Sequence, residues 1–385
     1  MDLKDFIESH PQIAEYDESD SSMHKSILKL ISKPMKLLGL SLAYERSPSF
    51  NALLRAQGIA FKTIISRRNG ILTGLFSISS SPRYLQGARV QAAYLGDFRI
   101  ENDLKIAAFW RKQYGQILNL FSQEPSLNQP KIFITAILKD NKLAQKTLVD
   151  NPRGQGEFKY HFLRSVDMIN ILSGPILRSG STDTGYVVRF AKISEEQKLL
   201  DFIDQCEKEK CLGFNFKDRS GELWQQRLQH FPQFSISRFL IVETTNGDWI
   251  AVTLPASPDS VKRMTLQIIA WPIKTFFAAL NIFGFNLPRE GESLKTLYLT
   301  HFNIRTGANT KLVTVALLHF LHTHDVAKNY HMISFANWWN HSWKEYLTYS
   351  ASINLYEVTS TNHTPQLAGK QDLTKIPLGF EMVLV

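Results

Sequence analysis

The stretch that decides the fold covers residues 94–116 and reads YLGDFRIENDLKIAAFWRKQYGQ. Its first part continues a β-rich run that begins at Val90, so a strand is predicted over 90–100. Its second part has apolar side chains at helical spacing, which predicts a helix over 104–121 with Ile106, Trp110 and Ile117 on the inner face. A strand that leads into a helix places unpaired backbone N–H groups at the junction, and such groups favour anions.

Alternating strands and helices are predicted on both sides of this stretch within the first half of the chain. Asn69-Gly70 separates two β-rich runs and is a strong hairpin signal. The predicted strands cover residues 42–46, 61–67, 71–79, 90–100, 131–138 and 158–171, and the predicted helices 49–57, 104–121 and 140–149.

A segment rich in Ser, Gly and Thr, residues 172–185, indicates a linker, and the order of elements then begins again. A second hairpin is predicted across Asn246-Gly247. The predicted strands cover 186–190, 238–243, 249–254, 294–304, 331–336 and 380–385, and the predicted helices 195–210 and 311–322. The chain is therefore expected to contain two similar units, although their sequences match poorly.

An insertion in the second half has a helical pattern that starts at Pro272, with apolar residues such as Ile273, Phe276 and Phe277 on one face. Three roles stay open for this helix. It can pack on its own domain, contact a second copy of the chain in a homodimer, or form a hydrophobic wall for a substrate.

Residues 94–100 resemble the long fourth strand of the GNAT superfamily, the acyl-CoA-dependent N-acyltransferases, which often ends in a pattern like YLGDLRV. In that superfamily the strand leads into a loop, (Arg or Gln)-x-x-Gly-x-(Gly or Ala), whose N–H groups and helix N-terminus hold the CoA pyrophosphate. Lys105 falls at the basic position of this loop, while Ala108 and Trp110 occupy its two small positions. The resemblance implies that this junction binds acyl-CoA.

Asn141-x-x-Ala144, after the predicted strand 131–138, resembles the second motif of the superfamily, where the fourth and fifth strands splay and admit the pantetheine arm. Many members carry a Tyr in the following helix that protonates the leaving thiolate, but Leu148 or Val149 stands there. Tyr160 is the nearest aromatic hydroxyl, and it is either this acid or a packed core residue.

Nearly the whole chain resembles a subgroup of the superfamily that has two such domains in tandem. Residues 44–58 resemble its pattern REPDFFAALRVEG, and residues 135–144 resemble TTIVEDNRAA. The resemblance implies an α/β (α+β) protein of two GNAT-like domains, each a mixed, mostly antiparallel sheet flanked by helices and splayed after its fourth strand. The expected divisions are 1–172 for the acyl-CoA-binding domain, 173–184 for a linker and 185–385 for a degenerate copy with a helical insertion at about 258–290.

The resemblance also implies which residues bind the donor and which react. The donor-binding residues are expected to be Phe98, Arg99, Ile100, Lys105, Ile106, Ala107, Ala108 and Asn141. The acceptor ammonium must lose a proton, and a carboxylate on the long strand can take it, which nominates Asp97 with Glu101 behind it. Asp97 could equally bond neighbouring backbone or pair with Arg99. Backbone N–H groups near Phe98 and Ile100 are expected to polarise the thioester carbonyl.

Composition and charge limit the remaining classes. The chain has 385 residues, of which 44% are hydrophobic, and 44 Lys and Arg against 35 Asp and Glu give a net charge of +9. These values predict a folded protein with an anionic partner. The N-terminus lacks a secretory signal and no segment is apolar enough to span a membrane, so a cytoplasmic location is expected. Cys206 and Cys211 are expected to be reduced structural thiols.

Metal chemistry is set aside, although His319, His322, His324 and Asp325 lie close together in the sequence. These residues fall at the end of a predicted helix, where His favours the helix dipole and the unpaired carbonyls.

The function that this pattern favours is transfer of an acyl group, acetyl in the first instance, from acyl-CoA to an amine acceptor. Two other hypotheses stay open. The chain could be a non-catalytic binding protein with the same fold, because the phosphate loop departs from the pattern at Ala108 and Trp110. Residues 300–308 stand at the same place in the second half, but Arg305 and Gly307 do not keep the spacing of the loop. The chain could also be a tRNA-dependent aminoacyltransferase, although its scattered basic residues do not favour nucleic acid.

Overall fold

The computed structural model describes residues 1–37, 39–150, 158–174, 184–218, 221–360, 364–368 and 376–381. Strands and helices alternate along both halves of the chain. The strands are β1 (Ile13–Glu15), β2 (Met35–Leu37), β3 (Leu40–Arg46), β4 (Ala60–Arg68), β5 (Ile71–Leu85), β6 (Ala88–Ile100), β7 (Ile132–Leu138), β8 (Phe158–Leu172), β9 (Tyr186–Phe190), β10 (Gly213–Phe214), β11 (Leu240–Thr244), β12 (Trp249–Ala256), β13 (Lys262–Ile269), β14 (Thr296–Ile304), β15 (Met332–Asn337) and β16 (Thr348–Ser360). The helices are α1 (Leu3–Ser9), α2 (Ser21–Ile31), α3 (Ala52–Gln57), α4 (Leu104–Phe121), α5 (Lys142–Ala144), α6 (Glu196–Glu209), α7 (Glu222–His230), α8 (Trp271–Ile282) and α9 (Thr310–Thr323).

One 13-stranded sheet runs through both halves, in the order β1-β4-β5-β6-β7-β16-β8-β15-β14-β12-β11-β9, with β10 paired to β5 at one side. We call β1 and β4–β7 the first unit, and β9, β11, β12, β14 and β15 the second unit. Within each unit the neighbouring strands are antiparallel except for one parallel pair, β6 with β7 and β14 with β15. The two units therefore repeat the same strand arrangement.

Two strands are exchanged between the units and join them into one sheet. The strand β8 follows the first unit in the chain but pairs with β15 of the second. The strand β16 follows the second unit but pairs with β7 of the first. Because β8 and β16 also pair with each other along their whole length, the centre of the sheet belongs to both halves.

A β-bulge at the same place in β6 and β14 marks the repeat most clearly. Asp97 in β6 and His301 in β14 both have positive φ angles, 54° and 48°, and each lies where the register with the preceding strand shifts. The flanking sequences, YLGDFRI over 94–100 and YLTHFNI over 298–304, share Tyr, Leu, Phe and Ile. Element order, on which the prediction of two units rests, does not reveal this internal match.

A second, 3-stranded sheet, β13-β3-β2, joins strands from the two halves of the chain. Its middle strand β3 comes from the first half, and β13 comes from the insertion in the second half. The helix α8 follows β13, and it packs Ile273 and Phe277 against the small apolar cluster of this sheet. Four large apolar side chains of the helix and its end are exposed: Trp271, Phe276, Ile282 and Phe283. The homodimer contact stays a prediction.

Most predicted strands and helices are confirmed, but the prediction of the last strand is wrong. The helix predicted over 104–121 has the bounds of α4, and the hairpin turn lies at Asn69-Gly70, both with positive φ. The strand predicted over 380–385 is not formed at Phe380 and Glu381, and residues 382–385 lie outside the described residues. The C-terminal strand is instead β16, whose bulge between Leu355 and Tyr356 breaks the alternation of apolar and polar residues.

Two further predictions are corrected or limited by the structure. The insertion at about 258–290 is only partly helical, because its first part forms β13. Of the predicted linker 173–184, residues 175–183 lie outside the described residues, so the division of the chain into those domains stays a prediction. Among the described residues, no helix combines the length and apolar character needed to cross a bilayer.

The structure places His324, Cys206 and Cys211 in surroundings that fit the structural roles predicted for them. The ring of His324 stacks on Phe320 at 3.9 Å between centroids, at the end of α9. Cys206 and Cys211 are buried free thiols, and burial raises their pKa values to about 12 and about 11. Within the described part of the chain, no group of three or more His, Cys, Asp or Glu side chains is placed to hold a metal ion.

Candidate active site

The parallel strands β6 and β7 part soon after they meet, which creates the first opening. Their register covers only Ala92–Tyr94 with Ile132–Ile134, although both strands continue further. At the point of divergence the Thr135 hydroxyl donates a hydrogen bond to the Leu95 carbonyl at 2.8 Å. Beyond it, the outer edge of β7 is covered by β16. Past Tyr94, the backbone of β7 therefore no longer pairs with the edge of β6 that faces the opening.

The N-terminus of α4 lies at the end of β6, as predicted, but its first N–H groups already have a partner. The Asp103 carboxylate accepts hydrogen bonds from the N–H groups of Lys105 and Ile106 at 2.6 and 3.3 Å. These contacts keep the pKa of Asp103 below its usual range. An incoming pyrophosphate would compete with this carboxylate for the same donors.

The residues predicted to form the phosphate loop, 105–110, lie inside the helix α4 instead. The N–H of Ala107 donates a hydrogen bond to the Asp103 carbonyl at 2.9 Å, and Ala108 is the next residue of the same helix. Lys105 is exposed on the first turn. Asn141 caps α5 by accepting from the Ala144 N–H at 3.1 Å. Their role in donor binding stays a prediction.

The strand residues after the bulge divide between the core and the surface. Phe98 packs into the aromatic core around Phe76 and Trp110, with 5.7 Å between the Phe98 and Trp110 rings. Ile100 packs against the same core. Glu101 holds the Lys33 ammonium with both carboxylate oxygens, at 2.7 and 2.6 Å. Glu101 is thus engaged in a surface ion pair rather than directed at the bulge.

Tyr160 lies in β8, where its ring contacts the rings of Phe158 and Tyr356. Its hydroxyl donates to the Tyr114 hydroxyl at 3.3 Å. Burial raises the pKa of Tyr160 well above its usual value, so the hydroxyl holds its proton firmly. These surroundings are those of a packed core Tyr, and its role as an acid stays a prediction.

Asp97 is the centre of a charged cluster at the β6 bulge. Its carboxylate forms an ion pair with Arg46 of β3 and accepts a hydrogen bond from the Ser77 hydroxyl at 2.8 Å. Lys262 of β13 also faces this group, and burial lowers the pKa of its ammonium to about 7, with Arg46 and Arg99 adding to the shift. Two structural alternatives were open for Asp97, a bond to neighbouring backbone and an ion pair with Arg99. The structure shows an ion pair, but its partner is Arg46.

The parallel strands β14 and β15 part in the same way in the second unit, after Tyr298 and Ser334. The second opening contains a small cavity of about 30 Å³. Its charged lining consists of Glu207, Lys210 and Glu381. The Lys210 ammonium lies 2.6 Å from the Glu207 carboxylate, which is buried.

Glu381 is the functional candidate that sequence reasoning missed. Its carboxylate faces the second opening and accepts a hydrogen bond from the N–H of His301, the bulge residue of β14, at 2.9 Å. Desolvation raises the pKa of this carboxyl to about 7, although Arg227 and Lys210 oppose the shift. A carboxylate with this pKa exchanges protons readily at neutral pH.

The segment that carries Glu381, residues 376–381, passes between the two units. Arg164 donates to the Ile376 carbonyl at 2.8 Å, and Arg83 donates to the Gly379 carbonyl at 2.6 Å. The ring of Phe380 lines the second opening and contacts Tyr94 of β6, with 5.9 Å between centroids. The segment therefore reaches from the strand of the first opening to the cavity of the second.

Comparison with solved structures finds the same fold in an N-acyltransferase. The crystal structure of Saccharomyces cerevisiae N-myristoyltransferase with bound myristoyl-CoA matches 95% of this chain and 88% of its own, with a TM-score of 0.56 and 9% identity. A further structure of the yeast enzyme, with bound myristoyl-CoA and inhibitors, matches 95% of this chain and 85% of its own, with a TM-score of 0.53 and 10% identity. No family model and no curated protein matches the sequence.

This likeness confirms the predicted fold class of two GNAT-like units in one chain, because the match covers 95% of this chain. The identity is too low to carry residues from one protein to the other. The activity of this chain must therefore be inferred from its own two openings and their charged groups.

Proposed function

We propose that the protein is an acyl-CoA-dependent N-acyltransferase. The observation that carries this proposal is the first opening, where β6 and β7 part beside the N-terminus of α4 in a fold shared with an enzyme that binds an acyl-CoA. Divergent parallel strands offer unpaired backbone groups to an extended ligand, and the helix N-terminus favours its phosphates. The donor is proposed to lie in this opening.

The acceptor amine is proposed to enter through the second opening, with Glu381 as the general base. A carboxylate with a pKa of about 7 can take a proton from an ammonium and release it to water at neutral pH. Asp97, which the sequence nominated for this role, is held by Arg46 and Ser77 and serves better to orient the bulge. Transfer then needs no covalent intermediate, because the two substrates are held side by side.

The acyl group is proposed to be acetyl, as the sequence resemblance suggested, and myristoyl is the alternative that the yeast enzyme raises. Calorimetric titration of the whole chain with acetyl-CoA and myristoyl-CoA compares the two donors. The acceptor is to be identified by incubating the protein with acyl-CoA and cell extract and detecting the acylated product by mass spectrometry. Salt-sensitive binding of tRNA, with no binding of acyl-CoA, would favour the aminoacyltransferase instead.

Reversing the charge of Lys105 should weaken acyl-CoA binding. Lys105→Glu places a repulsive carboxylate on the first turn of α4, and we expect at least a tenfold loss of affinity, about 1.4 kcal/mol. Lys112→Glu makes the same change at an exposed position further along the helix and should have little effect. Calorimetry at moderate salt measures both, with circular dichroism as the control for folding.

Removing the charge of Asp103 should act in the opposite direction. Asp103→Ser keeps a good N-cap residue but removes the carboxylate that competes with the pyrophosphate, so acyl-CoA affinity should rise by about threefold or more. Equal affinities for wild type, Lys105→Glu and Asp103→Ser would place the phosphates elsewhere. Absence of acyl-CoA binding by all three would favour a non-catalytic protein.

A further inference from the structure

Two buried cations beside the β6 bulge have hydrogen-bond donors without a partner among the described residues. Arg46 and Lys262 are register partners in the antiparallel pair β3 and β13, so both side chains lie on one face of the small sheet. Arg46 is 9% exposed and Lys262 is 6% exposed. One side of the Arg46 guanidinium holds Asp97, but its other terminal nitrogen, Nη1, is buried without a hydrogen-bond partner among the described residues.

The Lys262 ammonium has fewer polar partners than the Arg46 guanidinium. Among the described residues it forms no side-chain hydrogen bond and no ion pair, and it lies over the Tyr44 ring, 5.1 Å from Nζ to the centroid. Asp97 is the carboxylate that faces Lys262, and Arg46 already engages it. An ammonium in such a place is costly unless it has a partner, and burial lowers its pKa to about 7.

The charges at this place do not balance. Arg46 and Lys262 carry two positive charges in the protonated state, and among the described residues Asp97 is the carboxylate that faces both. Mutual repulsion among the cations would fall if an anion entered between Arg46 Nη1 and Lys262 Nζ. The arrangement thus offers donors from both side chains to an anion that the described residues do not supply.

We propose that Arg46 and Lys262 form a binding site for an anionic group, a carboxylate or phosphate, that belongs to the acceptor substrate. The anion site stands on the geometry alone, whereas its assignment to the acceptor rests on the proposed function. Lys262 in β13 comes from the second half of the chain and Arg46 in β3 from the first, so an acceptor anchored here would touch both halves. Such an anchor would select amines that carry a negative charge.

The test titrates the whole chain with two probes, inorganic phosphate and succinate, by calorimetry at constant ionic strength. Wild type is expected to bind at least one probe, and Lys262→Met to bind it at least tenfold more weakly, about 1.4 kcal/mol. Lys274→Met, which removes an exposed lysine on the same insertion, should match wild type. Failure of wild type to bind either probe, or equal binding by Lys262→Met, would refute the site.

A competition experiment identifies the source of the anion. If the site belongs to the acceptor, saturating acetyl-CoA should leave the affinity for phosphate or succinate within about twofold of its value without the donor. Displacement of the probe by acetyl-CoA would assign the site to a CoA phosphate and would contradict its assignment to the acceptor substrate. Failure of acetyl-CoA to bind at all would count against the proposed function, while loss of affinity in Lys262→Met would still establish the anion site.

Discussion

Glu381→Gln is expected to lower kcat by at least about 100-fold, because the amide cannot accept the proton that a general base removes from the acceptor. Gln is close to Glu in size and can still accept the hydrogen bond from the His301 N–H. The binding of acyl-CoA should therefore be unchanged. The measurement is the release of CoA thiol with the acceptor identified from cell extract.

The pH dependence of kcat should reveal the same group. The base must be deprotonated, so kcat of the wild type should fall as pH drops through about 7, the pKa of Glu381. The residual activity of Glu381→Gln should lack this step. Glu8→Gln, an exposed residue of α1, is the matched control and should leave both kcat and its pH profile as in wild type. A loss of kcat in Asp97→Asn but not in Glu381→Gln would return the role of base to Asp97.

Stability gives an independent check on the Glu381 carboxyl. Its pKa is raised from 4.5 in the unfolded chain to about 7 in the native protein, so the native state favours the protonated form. The wild type should therefore lose stability as pH rises from about 4.5 to above 7. Glu381→Gln removes this loss, and its Tm relative to wild type should be higher at pH 8 than at pH 5.

The parts of the fold that the sequence predicts are those decided by neighbouring residues. The periodicity of residues 104–121 and the Asn69-Gly70 turn act within a few residues, and both predictions are confirmed. The exchange of β8 and β16 could not be predicted in this way, because each strand pairs with residues far away in the sequence. The bulge in β16 also hides its alternation.

In the candidate site, too, the sequence predicts what neighbouring residues decide and not what distant residues decide. Asp97 stands in a recognisable motif and lies at a bulge, but its partner Arg46 is 51 positions away, and no local pattern joins them. Lys262 meets Arg46 only through the register of two distant strands. Two local signals are present in the sequence: Asp103 before α4 is a typical N-cap, and YLTHFNI repeats YLGDFRI, which marks His301 as the second bulge.

Arg227 should be the residue whose loss destabilises the protein most clearly, because it joins the two halves from a fully buried position. It lies in α7, is 0% exposed, and donates hydrogen bonds to the carbonyls of Ala56 and Gln57 at the end of α3. Its guanidinium also packs on the rings of Phe214 and Phe231. Arg227→Met leaves two carbonyls without these donors, and we expect the free energy of unfolding to fall by about 3 kcal/mol or more.

Urea unfolding of the whole chain measures this loss, and Arg238→Met, an exposed residue, should stay within about 0.5 kcal/mol of wild type. Arg227 also lowers the pKa of Glu381 through its charge. Arg227→Lys keeps that charge but not the paired donors, so it should be destabilised while the midpoint of the kcat–pH profile stays in place. In Arg227→Met, that midpoint should move to higher pH, because the Glu381 carboxylate has lost a compensating cation. Stability like that of wild type in Arg227→Met would mean that the exchanged strands and the pairing of β3 with β13 hold the halves together without this residue.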